Sequence, residues 1–337
     1  MFGRDIGIDL GTANVLIFVR GKGIVLREPS VVAVEKETNR LLAVGEEARR
    51  MIGRTPDSII AVRPLKDGVI ADYTMTELML KHFIRKVCGR RPVFRPQIAV
   101  CVPSGVTSVE QRAVIEACQE AGAKKVVLVS EPMAAAVGAG IDVSQPRGHL
   151  VVDIGGGTTD IAVISLGDEV ISDSLRVGGD KFDEAIIRYV RREHKLFIGE
   201  RTAEEIKVQI GCAFAPDESL TMEVRGRDTL SGLPKSIRLS AAEVYEALQE
   251  PVQAIINLIR SVLEKTPPEL AGDIMQDGMV LTGGGALLKG LPELIRLETR
   301  VPVVVADEPE TCVARGTGKV LEYINKLPGD GRSFRVS

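Results

Sequence analysis

The sequence predicts an α/β protein of two similar lobes, each opened by a β-hairpin with a glycine-rich turn. Residues 150–164 read as a strand, an acidic residue, three glycines with two threonines, and a second strand. Residues 6–19 repeat that pattern, with Asp9-Leu10-Gly11-Thr12-Ala13-Asn14 at the turn. An internal repeat outweighs any local reading. Around the hairpins, β-branched runs alternate with helical segments, and 337 residues can hold two domains with a substantial core.

In chain order, Gly21-Lys22-Gly23 turns into Ile24-Val25-Leu26, and Pro29 leads to a strand at 31–34. Glu37-Thr38-Asn39-Arg40 is a polar turn before Leu41, which makes another hairpin, and residues 46–51 form a short helix ending at Gly53. Residues 33–65 thus look like a small insertion. From Thr74 a helix shows Leu78, Leu80, Phe83, Ile84 and Val87 on one side until Gly89 and Pro92 end it. A buried strand at 98–102 closes at Pro103, and Ser108 with Gln111 forms a capping box for a helix over 109–121. The strand at 126–129 delivers Ser130-Glu131-Pro132 to the next helix. Beyond the central hairpin, Asp180 is the expected N-cap of a helix carrying Phe182, Ile186, Tyr189 and Val190. Another helix begins at Arg201. Residues 216–240 read as β and turn with Gly226, Gly232 and Pro234 as breakers, before a long amphipathic helix over about 241–265. A short strand at 279–281 runs into Thr282-Gly283-Gly284-Gly285 with a helix starting at Ala286. The segment opening at Cys312 is a last helix returning to the first lobe, and residues 328–337 read as a disordered tail.

Composition narrows the function. The net charge of -3 gives no global signal for nucleic acid, so no specific nucleic-acid partner is expected. No apolar run approaches the roughly 20 residues that span a bilayer. A strand beginning near residue 5 leaves no room for a signal peptide, and five scattered cysteines fit reduced cytosolic thiols. With three histidines far apart in sequence, His-based catalysis or metal binding is not expected.

The turns suggest phosphate chemistry. Glycines let backbone N–H groups approach an anion closely, and threonine hydroxyls join them. An Asp at the strand end repels a bare phosphate, so it makes sense when a hydrated divalent cation sits between. An ordinary glycine hairpin is the alternative for one copy; two copies favour a nucleotide and its Mg2+ gripped from both sides. Glu131 reads either as a helix-start carboxylate stabilised by the dipole or as a catalytic group at a strand's carboxyl end. Glu204 and Lys207, three apart on a helix, read either as a surface ion pair or as part of a site. In Arg90-Arg91-Pro92-Val93-Phe94-Arg95-Pro96, Phe94 either enters the core or joins Val93 as an apolar tip among basic residues, which suits a membrane surface.

The motifs Asp9-Leu10-Gly11-Thr12 and Asp153-Ile154-Gly155-Gly156-Gly157-Thr158 resemble the phosphate motifs of the actin, Hsp70 and sugar-kinase ATPase superfamily. Leu281-Thr282-Gly283-Gly284-Gly285-Ala286 resembles its adenosine motif. Over essentially the whole chain, including Gly53-Arg54-Thr55-Pro56, Lys66-Asp67-Gly68-Val69 and Thr266-Pro267-Pro268-Glu269, the sequence is similar to the bacterial actin MreB family, which includes Mbl. That resemblance implies an actin-like two-lobed ATPase fold of duplicated RNase H-like domains, with four subdomains and an interdomain nucleotide cleft. The implied subdomains are IA (1–32, 66–145 and 310–337), IB (33–65), IIA (146–181 and 246–309) and IIB (182–245).

It also implies a site. ATP or ADP would contact Asp9, Gly11, Thr12, Ala13, Asn14, Asp153, Gly155, Gly156, Gly157, Thr158 and Thr159. Further contacts would come from Gly178, Gly179, Asp180, Glu204, Lys207, Gly283, Gly284, Gly285 and Ala286. Mg2+ would sit near Asp9 and Asp153 through water, and Glu131 would orient the attacking water with help from Thr158. Val93 and Phe94 would be the membrane anchor. The resemblance further implies slow ATP hydrolysis and filaments of paired protofilaments on the inner face of the cytoplasmic membrane. Membrane proteins of the cell-elongation machinery would be partners in determining rod shape through cell-wall synthesis. A sugar-type kinase or a nucleotide-dependent binding module of the same superfamily is the alternative. The kinase would need a second acidic site for its substrate hydroxyl, and the sequence shows none.

Overall fold

The computed structural model describes residues 5–89 and 95–321. The first lobe starts with an antiparallel meander of β1 (Ile6–Leu10), β2 (Asn14–Val19) and β3 (Gly23–Pro29). Ile6, Ile8, Val15 and Ile17 are fully buried. Each such side chain contributes roughly 1.5–3 kcal/mol through burial, which is why these β-branched runs settle as central strands. β4 (Val32–Glu35), β5 (Leu41–Val44), α1 (Glu46–Arg49) and β6 (Ile59–Val62) then make a small sheet and helix around Val31, Ala33 and Ala48. A tight hairpin of β7 (Leu65–Lys66) and β8 (Val69–Ile70) turns at Asp67-Gly68. α2 (Tyr73–Cys88) follows, its N-terminus capped by the Asp72 carboxylate accepting from Met75 N–H at 3.0 Å. β9 (Gln97–Val102), α3 (Ser108–Glu120) and β10 (Lys125–Ser130) complete the sheet in the order β10-β9-β1-β2-β3.

α4 (Glu131–Gly138) carries the chain into the second lobe. There β11 (His149–Ile154), β12 (Thr159–Ser165) and β13 (Asp168–Leu175) form the same meander. A later excursion contains α5 (Gly179–His194), β14 (Leu196–Phe197), α6 (Glu200–Ile210), β15 (Thr221–Asp228), β16 (Pro234–Ser240), α7 (Ala241–Lys265) and α8 (Pro268–Asp277). β17 (Met279–Thr282), α9 (Leu291–Thr299) and β18 (Val303–Val305) return to the sheet, whose order is β13-β12-β11-β17-β18. Both sheets pair their first three strands antiparallel and add the last two parallel. The repeated hairpins are therefore the openings of two copies of one architecture.

α10 (Cys312–Val320) joins the lobes by packing on α4. A Cβ on Gly138 would lie 1.8 Å from Cys312 O, and one on Gly316 would lie 1.8 Å from Ala134 O. The two backbones touch because these positions have no side chain. Around them, Ala99 and Val127 from the first sheet meet Val151, Ala162 and Ile164 from the second in one apolar cluster.

Several local expectations are corrected. The capping box of α3 is Thr107 with Glu110, not Ser108 with Gln111. Both pairs fit the spacing, and the extended Thr107 (φ -69°, ψ 158°) wins the cap. α5 is entered through Gly178, so Asp180 lies in its first turn rather than at the cap. β15 runs through Gly226, whose missing side chain lets Phe197 O approach: a Cβ would lie 2.4 Å away. Pro234 opens the edge strand β16, where it needs no inward N–H. After Gly283 the chain makes only a 3-10 turn over Gly284–Leu287, and α9 begins at Leu291. The glycines at 284 and 285 give that turn little intrinsic helix preference. The Val93–Phe94 loop and the tail beyond residue 321 lie outside the described residues.

Candidate functional site

The two hairpin turns meet face to face. A Cβ on Gly156 would lie 2.7 Å from the Ala13 Cβ, and one on Gly157 would lie 2.4 Å from Thr12 Oγ1 and 2.9 Å from Gly68 N. Any larger residue here would push the lobes apart. Gly68 N–H also donates to Thr12 Oγ1 at 3.0 Å, tying the β7–β8 turn to the first loop. The second loop is braced from behind: Gly179 N–H donates to Gly155 O at 3.0 Å, and Asp180 N–H to Gly156 O at 2.8 Å.

Above these turns lies a cavity of about 420 Å³, within the range of small-molecule and cofactor sites. Its walls bring together Asp9, Gly11, Thr12, Ala13 and Asn14 from the first lobe and Asp153, Gly155, Gly156, Gly157 and Thr158 from the second. Glu131, Gly179, Asp180, Glu204, Lys207, Gly283, Gly284 and Gly285 also line it. Thr159, Gly178 and Ala286 do not. Thr159 Oγ1 is turned to Val177 O at 2.8 Å, and Gly178 packs under the loop, where a Cβ would lie 2.6 Å from Gly155 O. Ala286 is buried in the 3-10 turn. These three support the walls without forming them.

The acidic groups explain the electrostatics. Asp153 is buried at the end of β11 and accepts a hydrogen bond from Thr282 Oγ1 at 2.7 Å. Burial pushes its carboxyl up to about 7, against the Thr282 hydrogen bond, with a further push from Asp160. Asp9, at the matching place on β1, is pushed up to about 8 by burial and by the charge of Asp153. Neither carboxylate has an ion pair among the described residues. Two such carboxylates sharing a cavity suit a hard divalent cation bound through oxygen. No group of three metal-ligating side chains occurs among the described residues. A cation there would therefore complete its shell with water and phosphate oxygens, as Mg2+ does. Glu131, the first residue of α4, is raised well above the ordinary Glu range by burial first, then by Asp160, Asp153 and Asp9.

At the far wall, Lys207 Nζ donates to Gly179 O at 3.0 Å and pairs with Asp183 at 2.9 Å. Glu204 pairs with Arg49 of the other lobe at 2.6 Å. The two are thus not partners of each other. Arg63, Gly68 and Asp183 also line the cavity and were not singled out from sequence. Gly68 carried a signal in its Asp-Gly turn; Arg63 and Asp183 carried none, because their partners are remote in sequence.

A duplicated α/β architecture closing on a glycine-walled cavity between its lobes is the actin-like, two-lobed ATPase fold. A family model for the MreB/Mbl protein matches residues 3–328, and the chain belongs to that family. It is 57% identical over 328 residues to the cell shape-determining protein Mbl of Bacillus subtilis, covering 97% of this chain and 98% of the relative. It is 56% identical over 337 residues to the cell shape-determining protein MreB of Escherichia coli, covering 98% and 96%. Among solved structures, MreB 5 of Spiroplasma citri bound to AMPPNP superposes with a TM-score of 0.91 at 41% identity, covering 97% of this chain and 98% of that one. The ADP-bound crystal structure of MreB5 from the same organism gives 0.90, with 97% and 99% covered.

Proposed function

We propose that the protein binds ATP and ADP in the interlobe cleft and polymerises as an actin-like cytoskeletal filament that helps determine rod cell shape. The observation that carries this reading is the contact of the twin glycine turns beneath Asp9 and Asp153, two carboxylates without a cationic partner among the described residues. The nucleotide-bound MreB 5 structures support it by similarity. The phosphates rest on the backbone amides of residues 11–14 and 156–158, while the Gly155 N–H closes the turn on Thr158 O at 2.8 Å, and the adenosine lies toward Glu204, Lys207 and the turn at 283–285. Asp9 and Asp153 would hold Mg2+ through water, and the ion would supply charge neutralisation to the phosphates. Glu131 orients the attacking water beside Thr158, and hydrolysis is slow because it serves as a conformational timer. Closure of the lobes on ATP supplies the differential contacts that favour a polymerising state.

In this reading residues 1–32, 66–145 and 310–337 form subdomain IA, 33–65 IB, 146–181 and 246–309 IIA, and 182–245 IIB. Paired protofilaments lie on the inner face of the cytoplasmic membrane through Val93 and Phe94, and membrane proteins of the elongation machinery are their partners. No described helix is long and apolar enough to cross a membrane, and many weak loop contacts along a polymer add by avidity. Family membership favours this reading over a small-molecule kinase or a monomeric binding module. Sedimentation with ATP·Mg2+, with and without anionic liposomes, tests it. ATP-dependent filaments that pellet with vesicles are expected, and their binding should be lost when Val93 and Phe94 are made polar. A monomer under every condition would overturn the reading.

A further inference from the structure

We propose that Asp160 is a positioning residue for ATP hydrolysis, holding the Pro103–Ser104 peptide of the first lobe against the catalytic turn of the second. This inference rests on the hydrolytic reading of the cleft given above. Asp160 sits on β12, two residues beyond Thr158, and is fully buried. Its Oδ1 accepts from Ser104 N–H at 2.9 Å, a contact made across the lobes. Its Oδ2 has no hydrogen-bond partner of good geometry among the described residues, although the Ser174 and Thr158 side chains lie close enough to favour the charged carboxylate.

A buried carboxylate held by one backbone N–H and two neighbouring hydroxyls, Thr158 among them, is still costly, and packing alone would be served as well by an uncharged side chain. Its location supplies a role. A Cβ on Gly68 would lie 2.7 Å from Thr158 Cγ2 and 2.8 Å from Pro103 Cγ, so Thr158 and the Pro103 ring close on the same point. Fixing the amide that follows Pro103 fixes that ring, and the ring limits where Thr158 can move. A second tie lies next to the other catalytic group: the Ser130 hydroxyl, one residue before Glu131, donates to the Glu169 carboxylate on β13. Thr158 and Glu131 therefore face the cavity in a register to which these two half-buried interlobe contacts contribute, and Asp160, itself fully buried, makes one of them. Misplacing a reacting group by about 1 Å costs on the order of a hundredfold in rate, whereas nucleotide affinity is spread over many backbone contacts.

The test compares wild type with Asp160→Ala, Asp160→Asn and Pro103→Ala in the full chain. Phosphate release is measured at saturating ATP·Mg2+, and affinity is measured with a fluorescent ATP analogue. Asp160→Ala is expected to lower turnover about tenfold or more with affinity within about twofold. Asp160→Asn keeps an acceptor for Ser104 N–H and should stay within about threefold of wild type. Pro103→Ala, which leaves Asp160 in place, should lower turnover several-fold and tests the idea even where Asp160→Ala does not fold. Asparagine falling as far as alanine, turnover and affinity falling in parallel, or Pro103→Ala turning over at the wild-type rate would each overturn it. Wild type that neither binds nor hydrolyses ATP would remove the cleft reading itself, and this inference with it. Wild type that does both while the variants match it removes only the role of Asp160.

Discussion

Arg49 Nη2 donates to Glu204 Oε2 at 2.6 Å, joining α1 of the first lobe to α6 of the second at the rim of the cleft. Arg63 and Glu200 make a looser pair nearby, at 3.8 Å. Both side chains of the Arg49–Glu204 pair are 36% exposed, so solvent screens it and such a pair contributes about 0.2–1 kcal/mol. If nucleotide leaves by opening this rim, Arg49→Ala should speed dissociation of a fluorescent ADP by about 1.4- to fivefold, which is that energy expressed as a rate. Raised salt should shrink the difference. Stopped-flow dissociation rates equal to wild type at low salt would show that the pair does not hold the rim.

The acidic pair makes stability depend on pH in a defined direction. Asp9 and Asp153 are raised from 3.8 to about 8 and about 7, so the folded, nucleotide-free protein binds protons that the unfolded chain releases. Their contribution is fully present below pH 3.8 and is lost as pH rises through about 7 and about 8. Thermal melts of the nucleotide-free protein should show Tm falling between pH 5 and about 8.5, with Asp9→Asn and Asp153→Asn each flattening the slope. A Mg2+ ion held as proposed would need the charged carboxylates, so stabilisation by Mg2+·nucleotide should grow over the same window. A flat Tm in wild type would contradict the assignment.

Where backbones touch, volume is the test. The α4–α10 contact leaves 1.8 Å for a Cβ at Gly138 or Gly316. Overpacking of this kind costs roughly 1–3 kcal/mol or more, so Gly316→Ala should lower Tm by several degrees and weaken the coupling of the lobes. Calorimetry showing an unchanged Tm would mean the helices can slide apart freely.

Much of this was legible in the sequence where the signal is local. Asp9-Leu10-Gly11-Thr12 and Asp153–Thr158 announced their hairpins because glycine, acid and β-branched residues each have a short-range conformational consequence. Helix caps were legible only to within a residue or two: Thr107 and Ser108 offer the same chemistry, and the extended backbone at Thr107 with Glu110 three residues on decides between them. The turn after Gly283 was misread as a helix start because a Cβ there would meet Ile154 O at 2.3 Å, a constraint imposed from another strand. The links that set the cleft's geometry were not legible. Arg49 and Glu204 are 155 residues apart, and Ser104 and Asp160 are 56 apart. Nothing in either neighbourhood names the other.

In the proposed function, nucleotide and Mg2+ share the cleft floored by the two glycine turns. Equilibrium titration of a fluorescent ATP analogue into the nucleotide-free protein, with Mg2+ and with EDTA, for wild type and Gly156→Val, tests it most directly. A valine there would drive side-chain atoms into Ala13, where even a Cβ has only 2.7 Å. Saturable binding to wild type that weakens by about tenfold or more in EDTA is expected, with loss of binding in Gly156→Val while the fold is retained by circular dichroism. Binding that is indifferent to both EDTA and the valine would place the nucleotide outside the interlobe cleft and overturn the proposed site.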